Sequence, residues 1–228
     1  MKNIRGVIFD KDGTLFDFAS TWEAWAAAFL NRVSEDREHL LRMGRAIGFD
    51  PVTQTFAPNS LVIAGTPGEV ADVLLPFLEG VSKLGLLAVM NDEAAQTPQH
   101  QAVPLEPYLS GLRARGLKLG VVTNDAETPA IAHLQSAGVS EMFEFIAGFD
   151  SGFGAKPQPG QLLAFCEQTS LTPESVVMVG DSTHDLIAGR QAGMSCVGVL
   201  TGLAPREVLE PHADHVLDDI GQLPALFV

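Results

Sequence analysis

A short apolar run near the N-terminus that ends on two carboxylates restricts the fold more than any other part of the sequence. Residues 6–9, Gly-Val-Ile-Phe, are too few for a buried helix, and Asp10 and Asp12 follow at once, with the Asp12-Gly13 pair typical of a turn. The pattern predicts a buried strand with both carboxylates at its carboxyl end, where open parallel sheets bind ligands. Taken alone, the motif fits an ordinary strand and Asx turn equally well.

Composition narrows the possible partners. The chain has 228 residues, 46% of them hydrophobic, which allows one large domain or a core with a small insert and argues against disorder. A formal net charge of -14 disfavours nucleic acid and anionic membranes as partners, because both would be repelled. We therefore expect neither nucleic acid nor a membrane as partner. The protein is expected to be a monomer or a homodimer.

Cysteine usage and the absence of export signals indicate the compartment. Cys166 and Cys196 fall in a predicted helix and a predicted strand, so we expect neither a disulfide nor a thiolate metal site. Asp10 interrupts the first apolar run too early for a signal peptide, and no later run is long enough to span a bilayer. We expect a cytoplasmic protein.

Residues 17–100 are predicted to form an all-helical insert. Apolar residues at helical spacing indicate a helix over 20–33, and Ser34 is the predicted N-cap of a second helix that ends near Gly48. Thr66-Pro67-Gly68-Glu69 has the pattern of a capping box and begins a third helix. Residues 81–93 are predicted helical again, and residues 94–104 are a polar linker.

From Glu106 onward, helical and strand patterns alternate, which is typical of a parallel α/β sheet. We predict strands over residues 118–122, 145–147, 176–179, 196–200 and 216–217, with helices over 106–115, 128–137, 160–168, 205–209 and 219–226. Residues 1–16 and 101–228 should therefore form a Rossmann-like α/β catalytic core, with residues 17–100 as a small helical cap inserted after the first strand.

Four predicted strand ends carry chemically reactive groups. Two carboxylates about 4 Å apart repel by about 4 kcal/mol at an effective dielectric constant near 20, so Asp10, Asp12 and Asp181 together imply a bound cation. Oxygen ligands alone favour Mg²⁺. Thr123 and Lys156 suit an anion, and a cation beside an anion pocket suits a phosphoryl group. Asp10 can attack phosphorus, while Asp12 can protonate the leaving oxygen and later activate water.

Four motifs in order resemble those of the haloacid dehalogenase superfamily hydrolases, in the phosphoglycolate-phosphatase-like branch with a helical cap. They are Asp10-Lys11-Asp12-Gly13-Thr14, Thr123-Asn124, Lys156-Pro157 and Gly180-Asp181-Ser182-Thr183-His184-Asp185, and the resemblance covers nearly the whole chain. It implies Asp10 as nucleophile, Asp12 as general acid/base, and phosphate binding by Thr123, Asn124 and Lys156, of which Thr123 and Lys156 also count as catalytic. It also implies Mg²⁺ on Asp10, the Asp12 backbone carbonyl and Asp181, with Asp185 binding directly or in support.

The sequence departs from the resemblance at some positions. Lys11 stands where the branch has an apolar residue, and we expect a solvated lysine rather than a charge facing the substrate. Asp12 argues for phosphate esters, because dehalogenating and phosphonate-cleaving relatives lack it. Trp22 stands where sugar-phosphate mutases carry a histidine, which lowers the mutase interpretation. We expect His184 on a helix surface rather than on a metal.

The cap contains two sets of residues that could contact a substrate. Trp22 and Trp25 recur at helical spacing and are expected to be cap core, although lining the pocket is an alternative. Four basic residues are candidates to bind a substrate carboxylate, although a solvated helix face would also explain each of them; they are Arg32, Arg42, Arg45 and Lys83.

The sequence thus predicts a magnesium-dependent phosphatase that hydrolyses a small phosphorylated metabolite, of the phosphoglycolate or sugar phosphate type, through an aspartyl phosphate. Two alternatives remain: a sugar phosphomutase on the same fold, and a non-catalytic regulatory protein.

Overall fold

A computed structural model of the chain describes residues 1, 3–57, 59–63 and 65–227, without the side chain of Ser20. Its strands and helices are, in chain order, β1 (Gly6–Phe9), α1 (Phe18–Val33), α2 (Arg37–Ala46), β2 (Phe49–Asp50), β3 (Thr55–Phe56), α3 (Pro67–Leu74), α4 (Lys83–Gln96), α5 (Leu105–Ala114), β4 (Lys118–Val122), α6 (Glu127–Ser136), β5 (Phe145–Ala147), α7 (Gly160–Thr169), β6 (Val176–Gly180), α8 (Thr183–Ala192), β7 (Ser195–Val199), α9 (Arg206–Leu209) and β8 (His215–Leu217). A 3₁₀ helix covers Ile220–Leu226.

Six strands form a parallel sheet in the order β5-β4-β1-β6-β7-β8, which confirms the predicted α/β core. β1 lies between β4 and β6, with Phe9 in register with Val121 on one side and Val179 on the other. The three strands therefore end at the same edge of the sheet, and the chain segments that follow them meet there.

Alternate side chains of each strand face opposite sides of the sheet, and helices cover both sides. Val7 and Phe9 pack with apolar residues of α5 and of the C-terminal 3₁₀ helix, whereas Ile8 packs with Phe165 of α7 and Ala188 of α8. Burial on both faces explains why β1 is a continuous apolar run rather than an alternating one.

Residues 18–94 enclose an apolar cluster of their own. Trp25 and Phe29 of α1 pack there with Met43 of α2, Leu74 of α3 and Leu86 of α4. α3 begins with the predicted capping box, in which Thr66 accepts from the Glu69 backbone N–H and Glu69 accepts from that of Thr66. α4 extends to Gln96, three residues beyond the predicted helix.

The insert differs from the sequence prediction in two details. It is not all-helical, because β2 and β3 form an antiparallel ribbon in which Phe49 pairs with Phe56, with ring centroids 5.0 Å apart. Gly48, with φ +74°, ends α2 and turns the chain into this ribbon. The predicted N-cap Ser34 is also wrong: Asp36 caps α2 by accepting from the His39 backbone N–H.

The two chain crossings between the insert and the sheet lie side by side. The Asp17 backbone N–H donates to the His100 carbonyl at 2.8 Å, and that of Ala102 donates to the Leu15 carbonyl at 2.9 Å. The domain boundaries at residues 16/17 and 100/101 stay a prediction, and the separate apolar clusters agree with them. Among the described residues, no helix is both long and apolar enough to cross a membrane.

Candidate active site

Three buried aspartates meet at the carboxyl end of the sheet. Asp10 follows β1, Asp181 follows β6 and Asp185 lies in the first turn of α8; one oxygen of each lies within 4.8 Å of those of the other two. Burial raises the pKa of Asp10 to about 7, and Asp185 adds to the rise while Lys156 opposes it. Burial, Asp10 and Asp185 likewise raise the pKa of Asp181. The cluster therefore has a deficit of positive charge.

Lys156 is the cation that the fold brings to this cluster. Its Nζ lies 2.8 Å from Asp10 Oδ1 and 2.6 Å from Asp185 Oδ1, and it donates to the Val122 carbonyl at 3.0 Å. Burial would lower the pKa of Lys156, but the attraction of Asp10 and Asp185 outweighs it, and the pKa is raised. A lysine held in the charged form beside Asp10 is suited to binding an anion there.

Thr123 and Asn124 follow β4 and join it to the loop that carries Lys156. The Asn124 side chain donates to the Lys156 carbonyl at 3.0 Å and accepts from the Lys156 backbone N–H at 2.9 Å. Buried Gln161 of α7 donates to the carbonyls of Thr123, Gly148 and Gly154, and these hydrogen bonds hold the loop after β4 and the loop after β5 together. Sequence reasoning missed Gln161, because a glutamine in a helix carries no signal of burial.

The aspartate cluster fits a hard divalent cation such as Mg²⁺, because it offers buried carboxylate oxygens in excess of the nearby positive charge. Gly13 and Gly202 leave room for Asp181, since a Cβ at either position would overlap its carboxylate. Asp185 also accepts from the backbone N–H and hydroxyl of Ser182, at 3.0 and 2.7 Å, and is thereby held in place. The Asp12 carboxylate lies outside the cluster.

Lys11 is fully buried, so the expectation of a solvated lysine is wrong. Its Nζ lies 2.7 Å from Asp12 Oδ1, 3.3 Å from Asp125 Oδ2 and 2.9 Å from His133 Nδ1. It also lies over the Trp22 ring, 5.5 Å from the centroid. Burial would lower the pKa of Lys11, but Asp12 and Asp125 outweigh it and raise that pKa. The group cannot be recognised from sequence, because His133 is 122 residues away.

His133 connects this buried lysine to the insert. Its Nε2 lies 2.6 Å from the carbonyl oxygen of Ala94 on α4, so Nε2 carries the proton and Nδ1 accepts from Lys11. Burial and the nearby Lys11 charge lower the pKa of His133 to about 4. A neutral imidazole thus bridges the core helix α6 and the cap helix α4.

A small cavity of ≈ 60 Å³ lies over Asp10 and is lined from both halves of the chain. The structure brings together every site residue that was predicted in the core; Asp10, Asp12, Thr123, Asn124, Lys156, Asp181 and Asp185 all line the cavity. Trp22 and Trp25 are cap core, as expected, and also line the cavity. His184 lies on α8, half-buried and outside the aspartate cluster, in agreement with the expectation of a helix-surface residue, and it also lines the cavity.

The four basic cap residues do not line this cavity, which agrees with the solvated helix face as the explanation of each. Arg32 is ion-paired with Asp92 and Glu93 on the exposed side of α1 and α4, and Lys83 is paired with Asp72. Arg42 and Arg45 are exposed on α2. They lie on the polar face of their helix, and the opposite face is buried in the cap cluster.

Comparison with known proteins agrees with this geometry. A model of the haloacid dehalogenase-like hydrolase family matches residues 4–193. A phosphoglycolate phosphatase of Salmonella typhi is 31% identical, over 99% of this chain and 94% of that protein. CbbY from Rhodobacter sphaeroides, solved in complex with phosphate, superimposes with a TM-score of 0.74 at 20% identity and 96% coverage of both chains.

A beta-phosphoglucomutase from Clostridium difficile has the same fold, with a TM-score of 0.67 at 22% identity, covering 96% of this chain and 93% of the other. Structural similarity at this level of identity is evidence for the fold alone. The family match and the full-length similarity to phosphoglycolate phosphatases carry the assignment: the chain belongs to the haloacid dehalogenase-like hydrolase family and is a phosphoric monoester hydrolase.

Proposed function

We propose that this phosphatase is magnesium-dependent and hydrolyses the monoester of a small phosphorylated metabolite through an aspartyl phosphate on Asp10. The relatives' names suggest phosphoglycolate, and sugar phosphates are the other class consistent with the sequence. The observation that carries the proposal is the position of Asp10, which directly follows β1, contacts Lys156 at 2.8 Å and belongs to the aspartate cluster.

Each residue around Asp10 has a part in this proposal. Lys156 holds a phosphoryl oxygen beside the attacking carboxylate, with Thr123 and Asn124 lining the same side of the cavity. Asp12, two residues on, protonates the leaving oxygen and later takes a proton from the water that hydrolyses the intermediate. Asp10, Asp181 and Asp185, with the Asp12 backbone carbonyl, would hold Mg²⁺, which when bound neutralises charge on the phosphoryl oxygens.

We further propose that residues 17–100 act as a cap that closes over the strand ends from the paired crossings at residues 15–17 and 100–102. Closure would exclude water from the reaction. The expected compartment is the cytoplasm, in line with the buried free thiols of Cys166 and Cys196.

The mechanism is tested by trapping the phosphoenzyme. Acid quenching of the wild-type protein during turnover of a ³²P-labelled ester should leave label in the protein that hydroxylamine releases, since an acyl phosphate is sensitive to it. Asp10→Asn should trap none and release no phosphate, while Asp72→Asn on the exposed cap surface should behave as wild type. Phosphate release at a near wild-type rate by Asp10→Asn would rule out the covalent mechanism.

A further inference from the structure

The wall of the cavity that faces the catalytic edge is apolar. The cap contributes Trp22, Trp25, Ile63 and Met90 to it, and its polar lining side chains are the uncharged Thr66 and Asn91. The phosphoryl end of a substrate must lie against Asp10 and Lys156, so the rest of the substrate faces this apolar wall.

The cap contributes no cation to the cavity among its described residues. Arg32 and Lys83 are engaged in exposed ion pairs, and Arg42 and Arg45 lie on the exposed face of α2. The two residues of residues 17–100 that the structure does not describe, Pro58 and Ala64, carry no charge by their chemistry. Among the described residues of 17–100, no cationic side chain is therefore available in the cavity to pair with a second anion.

The charge on the core side of the cavity also disfavours a second anionic group on the substrate. Five aspartates line the cavity, and the basic side chains that accompany them among the described residues are Lys156 and His184, both from the core. Lys11 is paired with Asp12, Asp125 and His133 under the Trp22 ring and does not line the cavity, so it does not face a substrate. A carboxylate placed against Trp22 and Met90 would lose its hydration without gaining a cationic partner from the cap, in a site that is already negative.

We propose that the substrate's leaving group is an uncharged alcohol with an apolar surface, and that phosphoglycolate and other carboxylate-bearing esters are poor substrates. This inference rests on the proposed phosphatase function and decides between the substrate classes that the sequence leaves open. Trp22 Nε1 is buried and has no hydrogen-bond partner, so it is available to donate to an oxygen of such an alcohol.

The test compares esters that differ in charge and little in shape. Phosphoglycolate, its neutral carboxamide analogue and propyl phosphate are assayed for kcat/KM with Mg²⁺ present. We expect kcat/KM for the two esters with an uncharged leaving group to exceed that for phosphoglycolate by at least about tenfold, because the carboxylate of phosphoglycolate would be desolvated without a cationic partner. Equal values, or a preference for phosphoglycolate, would overturn the inference.

A gain-of-function variant tests the same idea from the side of the protein. Asn91→Arg places a cation in the cavity wall on α4, and Ala88→Arg makes the same charge change at an exposed position of that helix. The first should raise the ratio of phosphoglycolate to carboxamide turnover by about tenfold, and the second should leave it unchanged. Equal ratios in both variants would contradict the proposal.

Failure of the proposed function would look different from failure of this inference. If the protein is not a phosphatase, none of the esters, including p-nitrophenyl phosphate, is hydrolysed. If it is a phosphatase that selects a carboxylate, p-nitrophenyl phosphate is hydrolysed and phosphoglycolate is the best of the three matched esters.

Discussion

At the scale of single residues, the buried position of Lys11 has the largest consequence for function. A buried ion pair repays its desolvation only when further polar contacts accompany it, and Lys11 donates to Asp12 and His133 and is also ion-paired with Asp125. The carboxylate of Asp12 is thereby fixed on one side while it lines the cavity on the other. Lys11 is thus in place to orient the proposed acid/base.

Replacing Lys11 with methionine should therefore weaken proton transfer more than substrate binding. A misplaced acid slows esters whose leaving oxygen needs a proton, and general acid catalysis contributes roughly 10²–10⁴-fold. We expect kcat for an alkyl phosphate to fall by about 10²-fold in Lys11→Met, and that for p-nitrophenyl phosphate by less than about 5-fold, because nitrophenolate leaves unprotonated.

Arg32→Met, which removes an exposed ion pair, is the matched control and should change neither rate. An equal loss on both esters in Lys11→Met would show that Lys11 supports the fold without orienting Asp12. Unfolding in denaturant should also show a loss of about 3–5 kcal/mol of stability, the usual cost of breaking a buried pair.

His133 predicts a specific pH dependence of stability. Its pKa falls from 6.5 in the unfolded chain to about 4 in the folded protein, so between these values the unfolded state binds the additional proton. Stability from this group is complete above pH 6.5 and is lost as the pH falls through 4, by about 1.4 kcal/mol per pH unit at most.

The measurement is urea unfolding of wild type and His133→Gln from pH 4.5 to 7.5. The difference in the free energy of unfolding between the two proteins should grow with pH, because the variant lacks the titrating imidazole whereas the carboxylates titrate in both proteins. A difference that stays constant across this range would mean that His133 is not buried in its neutral form.

At the scale of elements, the loops at the carboxyl ends of the strands determine the geometry of the metal site. Asp181 lies between the loop after β1 and the loop after β7, and glycine at positions 13 and 202 leaves room for its carboxylate. The hydroxyl of Thr201 donates to the Gly13 carbonyl at 2.6 Å, which joins the two loops. The side chain that follows β6 is therefore positioned by two other strand ends.

Gly202→Ala should raise the Mg²⁺ concentration needed for half-maximal activity by about tenfold or more, because the new methyl group displaces Asp181, and ligand-support changes typically cost 10–100-fold in metal affinity. Gly111→Ala is the control, since Gly111 lies within α5 with open space around its Cβ. The control should stabilise the protein by about 0.4–1 kcal/mol and leave the Mg²⁺ requirement unchanged. An unchanged Mg²⁺ requirement in Gly202→Ala would separate Asp181 from metal binding.

At the scale of the whole molecule, the chain gathers negative charge at one point between its two halves. Burial and mutual repulsion raise the pKa of Asp10 and Asp181, so the apo cluster is destabilising when ionised at neutral pH. A cation bound there would bind the native state alone and should stabilise the entire fold.

Adding MgCl₂ at 100 times its dissociation constant should therefore raise the free energy of unfolding by about 2.7 kcal/mol, and chelation should remove both this gain and the activity. Thermal unfolding of wild type and Asp181→Asn, at ionic strength matched with KCl, measures the effect. A rise in Tm with KCl alone, or an equal rise in the variant, would show general screening of the net charge of -14 instead of a specific site.

The sequence by itself determined the parallel core and the chemical groups at its edge. Period and turn chemistry are local, so the strand ending at Phe9, the capping box at Thr66 and the groups following four strands were all predictable. Strand ends of a parallel sheet share an edge, which is why Asp10, Lys156 and Asp181 meet in the structure as expected.

Only the tertiary structure decided the environment of each charge. Lys11 has the local sequence of a solvated lysine, yet α6 brings His133 to it from 122 residues away and α1 places the Trp22 ring over it. Arg32 and Lys83 have the charge that a carboxylate needs but lie on outward helix faces. Burial and pairing depend on which helix faces pack together, and the periodicity of one helix does not specify its neighbour.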